Sequence, residues 1–140
     1  MEVLIDTNVA LGVILNNAGL VVNSRVILEL AEQKRFAGYI SASAITDIFY
    51  IARKRLGKNI AREAINHLLH IFYPATVTGD NIYQAFDLEW DDFEDSVQYI
   101  VGKGLSVNYI VTKNTQDFTS GSIAAVTPEQ FIEIITGIGK

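Results

Sequence analysis

Tyr109-Ile110-Val111-Thr112 is the clearest strand in the chain, an apolar run with three β-branched residues among its four. What flanks it decides the fold. Residues 92–101 before it read as a helix with Asp92 as N-cap, ending near Gly102 and Gly104. After it, residues 113–120 read as a loop that leads to a short strand at 123–126. Thr127-Pro128-Glu129-Gln130 then supplies an N-cap threonine, a proline at the first helical position and a glutamine at the third, which together start a helix. The alternation runs back to the N-terminus. Val3-Leu4-Ile5 is a short buried-type strand that ends in a polar loop, Asp6-Thr7-Asn8. Residues 21–33 have helical periodicity, and 38–42 read as a strand. Ser43 is the expected cap of a helix to about Leu56, whose apolar stripe is Ile45, Ile48, Phe49, Ala52 and Leu56; Gly57 stops it. Residues 59–71 repeat the pattern, followed by a strand at 75–77 and a short helix at 80–89. Strands that alternate with helices in this way imply βαβ units. The expected fold is an α/β/α sandwich of three layers in a single domain over 1–140, with a central, mostly parallel sheet of four or five strands.

Composition bounds the chemistry. The 140 residues are 49% hydrophobic and only 19% charged, so a sizeable core is available and a disordered chain is excluded. Mean hydropathy is +0.24, yet no apolar run approaches the roughly 20 residues that a membrane span needs. The opening MEVLID has no basic stretch ahead of an apolar one, so no signal peptide is expected there. With no Cys and two His, thiolate metal sites are excluded, a histidine-based zinc site is disfavoured, and the redox compartment leaves no trace. Sixteen acids against eleven bases leave a net charge of −5, a poor balance for gripping nucleic acid by long-range charge alone. Divalent cations could supply the missing positive charge locally.

Ligands of parallel sheets bind beyond the carboxyl ends of the strands, which singles out the acids there. Asp6 directly follows the first strand. Alone it reads equally as a turn or capping residue and as a ligand of a hard cation. Asp47 lies early in its helix, opposite the apolar stripe, where a solvated Asp is favoured by the helix dipole. Asp91, Asp92, Glu94 and Asp95 crowd the start of another helix. Capping accounts for Asp92 and Asp95, but four acids within five residues exceed what a cap needs and repel one another without a cation. Asp117 follows the strand at 109–112. The fold would gather Asp6, Asp47, Asp95 and Asp117 at one sheet edge, a pocket suited to Mg²⁺ or Mn²⁺ and to phosphodiester hydrolysis.

At these residues the chain resembles the PIN-domain ribonucleases, and within them the VapC-like toxins of toxin–antitoxin pairs. The resemblance spans the chain through four blocks: Leu4-Ile5-Asp6-Thr7-Asn8-Val9, Ser43-Ala44-Ile45-Thr46-Asp47, Asp92-Phe93-Glu94-Asp95-Ser96-Val97-Gln98-Tyr99 and Tyr109-Ile110-Val111-Thr112-Lys113-Asn114-Thr115-Gln116-Asp117-Phe118. It implies a cytoplasmic Mg²⁺- or Mn²⁺-dependent endoribonuclease that forms a homodimer and is held by a cognate antitoxin protein. It implies Asp6 and Asp95 as metal ligands, Asp47 and Asp117 as further catalytic acids, and Thr7, Asn8, Thr112 and Asn114 as groups that orient ligands or phosphate. Asp47 stands where the family most often has Glu. Asn114 stands where many relatives have an acid, a place that Asp117 takes instead.

Other features have plainer readings. His67 and His70, three apart on one helix, have no evident carboxylate partner. Gly102-Lys103-Gly104 reads as a helix end rather than a phosphate loop. Arg53, Lys54, Arg55 and Lys58 form the dense basic cluster, either a solvated helix end or a contact for an RNA backbone near the acidic pocket. Two further classes compete. A receiver domain or haloacid-dehalogenase-type phosphatase also uses an Asp after the first strand, although Asn8 stands where the phosphatase needs a second Asp and Glu2 is poorly placed for the receiver. A PIN-like module that binds RNA or protein with a degraded metal site is the other.

Overall fold

Strands buried on both faces of a parallel sheet need apolar side chains on both. The computed structural model, which describes residues 1–137, has them. In β1 (Glu2–Ile5), Val3 and Ile5 enter one core while Leu4 enters the other. The order continues α1 (Thr7–Ile14), α2 (Val21–Glu32), β2 (Ala37–Ser41), α3 (Ala42–Leu56), α4 (Lys58–Ile71), β3 (Tyr73–Ala75), α5 (Gly79–Asp87), α6 (Phe93–Leu105), β4 (Tyr109–Val111), a 3-10 turn (Thr115–Phe118), β5 (Ala124–Val126) and α7 (Pro128–Thr136). The five strands are parallel in the order β3-β2-β1-β4-β5, with Leu4 beside Tyr39 on one side and Ile110 on the other. The expected three-layer sandwich with a parallel sheet is the fold observed. The expected domain over 1–140 ends in three residues, 138–140, that lie outside those described.

The first core packs α1, α2, α3, α4 and α7 on the sheet. Phe131 of α7 is fully buried there, edge-on to Phe36 with ring centroids 4.9 Å apart. The second core joins α5, α6 and the 3-10 turn around Val97, Ile100 and Phe118. Gly38 of β2 lets the first core pack closely on the sheet: a Cβ there would fall 2.5 Å from the Phe72 ring.

Four local expectations are corrected. Asp6-Thr7-Asn8 is no loop but the cap and first turn of α1, with the Asp6 side chain accepting from the Thr7 N–H. The cap of α3 is Ser41, not Ser43, because β2 passes into the helix with no linking residue and the Ser41 hydroxyl meets the Ala44 N–H at 3.2 Å. Helix α6 runs through Gly102 and Gly104 to end at Ser106, whose φ is 57°. Packing overrides glycine's weak propensity there, since Gly102 lies buried against Val107. Finally, β3 sits two residues earlier than expected and contains Pro74, which a sheet-edge strand tolerates.

Candidate active site

The strand order reverses at β1, which has β2 on one side and β4 on the other. A crevice therefore opens beyond the carboxyl ends of β1 and β4. Asp6 follows β1 and Thr112 follows β4, so the polar side chains begin where the strands stop. Helices α1 and α6 start here too, capped by Asp6 and Asp92. Their N-terminal dipoles favour the negative charge that the sequence concentrates at this edge.

Asp6 is buried, and four donors surround its carboxylate. Oδ1 accepts from the Thr7 N–H at 2.7 Å and from Gln98 Nε2; Oδ2 accepts from Thr112 Oγ1 at 2.7 Å and Asn8 Nδ2 at 3.1 Å. Together these bonds hold the carboxylate in one orientation. The donors are themselves anchored. Asn8 Oδ1 accepts from the Lys113 N–H at 3.2 Å, and Thr112 Oγ1 accepts from the Asn114 N–H at 3.1 Å. Thr7 Oγ1 turns instead to Glu94 Oε1, at 3.3 Å.

Asp95 stands in the first turn of α6, its N–H bonded to the Asp92 cap at 3.1 Å. Burial pushes its carboxyl up to about 7, assisted by the charges of Asp6, Asp92, Asp117 and Glu94. Glu94 is also raised, by burial first and then by Asp47. The structure thus brings Asp6, Asp95 and Asp117 into one electrostatic cluster. Asp47 lies exposed in the second turn of α3, at the rim, and bears on Glu94. Beside Asp92 and Asp117, between Trp90 and Gln116, a cleft of about 680 Å³ opens to solvent.

Two residues of this site were not singled out by pattern. Glu94 stood only among the acids that crowd the helix start, and Gln98 only within the block that ends at Tyr99. No local signal separates them; only the packing of α6 against β1 places Gln98 on Asp6, 92 residues away. Arg53 is six residues beyond Asp47 in α3, about 9 Å along the helix axis, and Arg53, Lys54 and Arg55 are exposed in its last turn. His67 and His70 are both exposed on α4.

The residues fit a hard divalent cation in their chemistry. They offer carboxylates, with that of Asp95 pushed up to about 7 by burial and then by its neighbours' charge, and a buried amide oxygen, Gln98 Oε1, without a hydrogen-bond partner. They line the site rather than clasp it: among the described residues, no three acidic or imidazole side chains are grouped to hold an ion. Mg²⁺ suits such a site because it keeps several waters and needs only one or two carboxylates.

A family model described as the PIN domain matches residues 2–116. No curated protein matches by sequence. Among solved structures the chain is similar to VapBC2 from Rickettsia felis bound to a promoter DNA fragment, at TM-score 0.71 and 14% identity, covering 91% of this chain and 98% of that one. It is similar to a toxin–antitoxin complex from Klebsiella pneumoniae, at TM-score 0.67 and 20% identity, covering 90% and 97%. A third is VapC20 of Mycobacterium tuberculosis, a sarcin-ricin loop cleaving toxin, at TM-score 0.64 and 16% identity, covering 77% and 86%.

Proposed function

The chain belongs to the PIN-domain family, and from that premise we propose that it is a Mg²⁺- or Mn²⁺-dependent endoribonuclease, the toxin of a toxin–antitoxin pair. The observation that carries the proposal is the carboxylate cluster beyond β1 and β4, where Asp95 is pushed up to about 7 by burial and by four acidic neighbours. Asp6 and Asp95 would hold the cation, with Asp117 and Asp47 completing the acidic pocket. A bound divalent ion neutralises charge developing on a phosphate and makes water a nucleophile at neutral pH. The chain's own contribution is positional. Thr7, Asn8, Thr112 and Gln98 fix the Asp6 carboxylate, and the backbone N–H of Asn114 holds the Thr112 hydroxyl turned toward Asp6. No side chain is asked to form a covalent intermediate.

Partners follow from the same comparisons. Similar folds occur in complexes with antitoxins, which supports a protein antitoxin as partner and a cytoplasmic setting. No helix among the described residues is long and apolar enough to cross a membrane. A homodimer is supported by the exposed apolar side chains of Tyr83, Phe86 and Phe93.

A second reading is favoured by the open arrangement of the acids, no three of which group to hold an ion among the described residues: a PIN-domain module that binds RNA or protein without cutting. One experiment separates the two. Single-stranded RNA is incubated with wild type, Asp6→Asn and Asp95→Asn, in Mg²⁺ or Mn²⁺ and in EDTA. Cleavage confined to wild type with metal is expected; cleavage that survives EDTA or both substitutions would overturn the nuclease assignment to these carboxylates, and no cleavage anywhere would favour the binding module.

A further inference from the structure

Gln98 lies one helical turn beyond Asp95 on α6 and is 1% exposed. A glutamine buried this deeply has two N–H donors and a carbonyl to satisfy. Its Nε2 donates to Asp6 Oδ1, while its Oε1 is buried with no hydrogen-bond partner. A folded protein ordinarily avoids an unpaired buried acceptor, because the group has lost water and gained nothing. Rotating the amide offers no remedy. It would set Oε1 against Asp6 Oδ1, acceptor to acceptor, and strip a donor from the carboxylate. The free oxygen therefore calls for a donor that the described residues do not supply. Hydrated Mg²⁺ or Mn²⁺ brings such donors, since a cation held by few carboxylates keeps part of its water shell.

We propose that Gln98 is a positioning residue of the cation pocket, fixing Asp6 through Nε2 and accepting a hydrogen bond from the hydration shell of a bound Mg²⁺ or Mn²⁺ through Oε1. The inference rests on the metal-dependent reading of the pocket. Partners of this kind, one step removed from the ion, change metal affinity by about 10–100-fold when mutated. Methionine preserves the length and much of the volume of Gln98 but can neither donate to Asp6 nor accept from water. The test is calorimetric titration of Mn²⁺ into the full chain as wild type, Gln98→Met and Asp6→Asn, with thermal melts of each in EDTA. Gln98→Met is expected to bind Mn²⁺ at least tenfold more weakly than wild type, within that range, while melting as a folded protein. Unchanged affinity in Gln98→Met beside a wild type that binds would overturn the role of Gln98 alone. A wild type that binds no Mn²⁺ would overturn the metal reading and this proposal with it. If Gln98→Met fails to fold, the side-chain amide resonances of Gln98 in wild type decide: Mg²⁺ should shift them, and resonances that stay in place at saturating Mg²⁺ would overturn the proposal.

Discussion

Asp95 is the residue whose proton affinity folding changes most visibly. Its carboxyl rises from an ordinary 3.8 to about 7, through burial first and then through the charges of Asp6, Asp92, Asp117 and Glu94. The native state therefore binds more protons than the unfolded chain between those two values, and stability falls as pH rises through the window. The stabilising contribution is complete below 3.8 and lost once pH passes about 7. In EDTA, the melting temperature of wild type should decline across that interval, and Asp95→Asn should flatten the decline and melt higher than wild type at its alkaline end. Parallel curves for the two proteins would mean that the carboxylates do not strain the metal-free fold. At Asp6, four donors surround one carboxylate, so its burial is matched by hydrogen bonds.

At the scale of elements, the site depends on helices that begin the moment a strand ends. Asp6 caps α1 directly after β1, and Ser41 is both the last residue of β2 and the cap of α3. With no linker to absorb error, the cap sets the direction in which α3 leaves the sheet, and hence where Asp47 stands on the rim. Ser41 is fully buried, and its hydroxyl accepts from the Ala44 N–H at 3.2 Å. Ser41→Ala should cost about 1 kcal/mol in urea denaturation, the usual worth of an N-cap hydroxyl. A loss no larger than that of a surface Ser→Ala control would show that the hydroxyl does not hold this junction.

Viewed as a whole molecule, the protein is covered unevenly. Five helices bury the first face of the sheet, while the second carries α5, α6 and the 3-10 turn. Along α5, Tyr83 and Phe86 are 75% and 71% exposed, and Phe93 at the start of α6 meets Phe86 edge-on at 6.4 Å. Apolar surface of this kind, beside a charged cleft, fits association rather than solvent. Phe86→Glu should leave the circular dichroism spectrum unchanged and shift the mass seen by light scattering from dimer to monomer. A wild type that is monomeric across micromolar concentrations would remove the homodimer from the functional reading.

Local signals carried much of this protein. The apolar runs at Val3-Leu4-Ile5 and Tyr109-Ile110-Val111, the Asp92 cap and the Thr127-Pro128-Gln130 helix start all act within a few residues, so periodicity and capping chemistry made the alternating strands and helices legible before any contact was known. The same order of elements implied a parallel sheet with its acids at one edge. Only the tertiary structure decided that Gly102 and Gly104 stay helical, that Ser41 rather than Ser43 caps α3, and that Gln98 and Thr112 meet on Asp6. The choice between Ser41 and Ser43, both acceptable caps by residue type, was made by where β2 ends and α3 begins. The Asp6 contacts pair polar groups that have lost water across 92 and 106 residues, and partners so distant leave no periodic signal in a sequence.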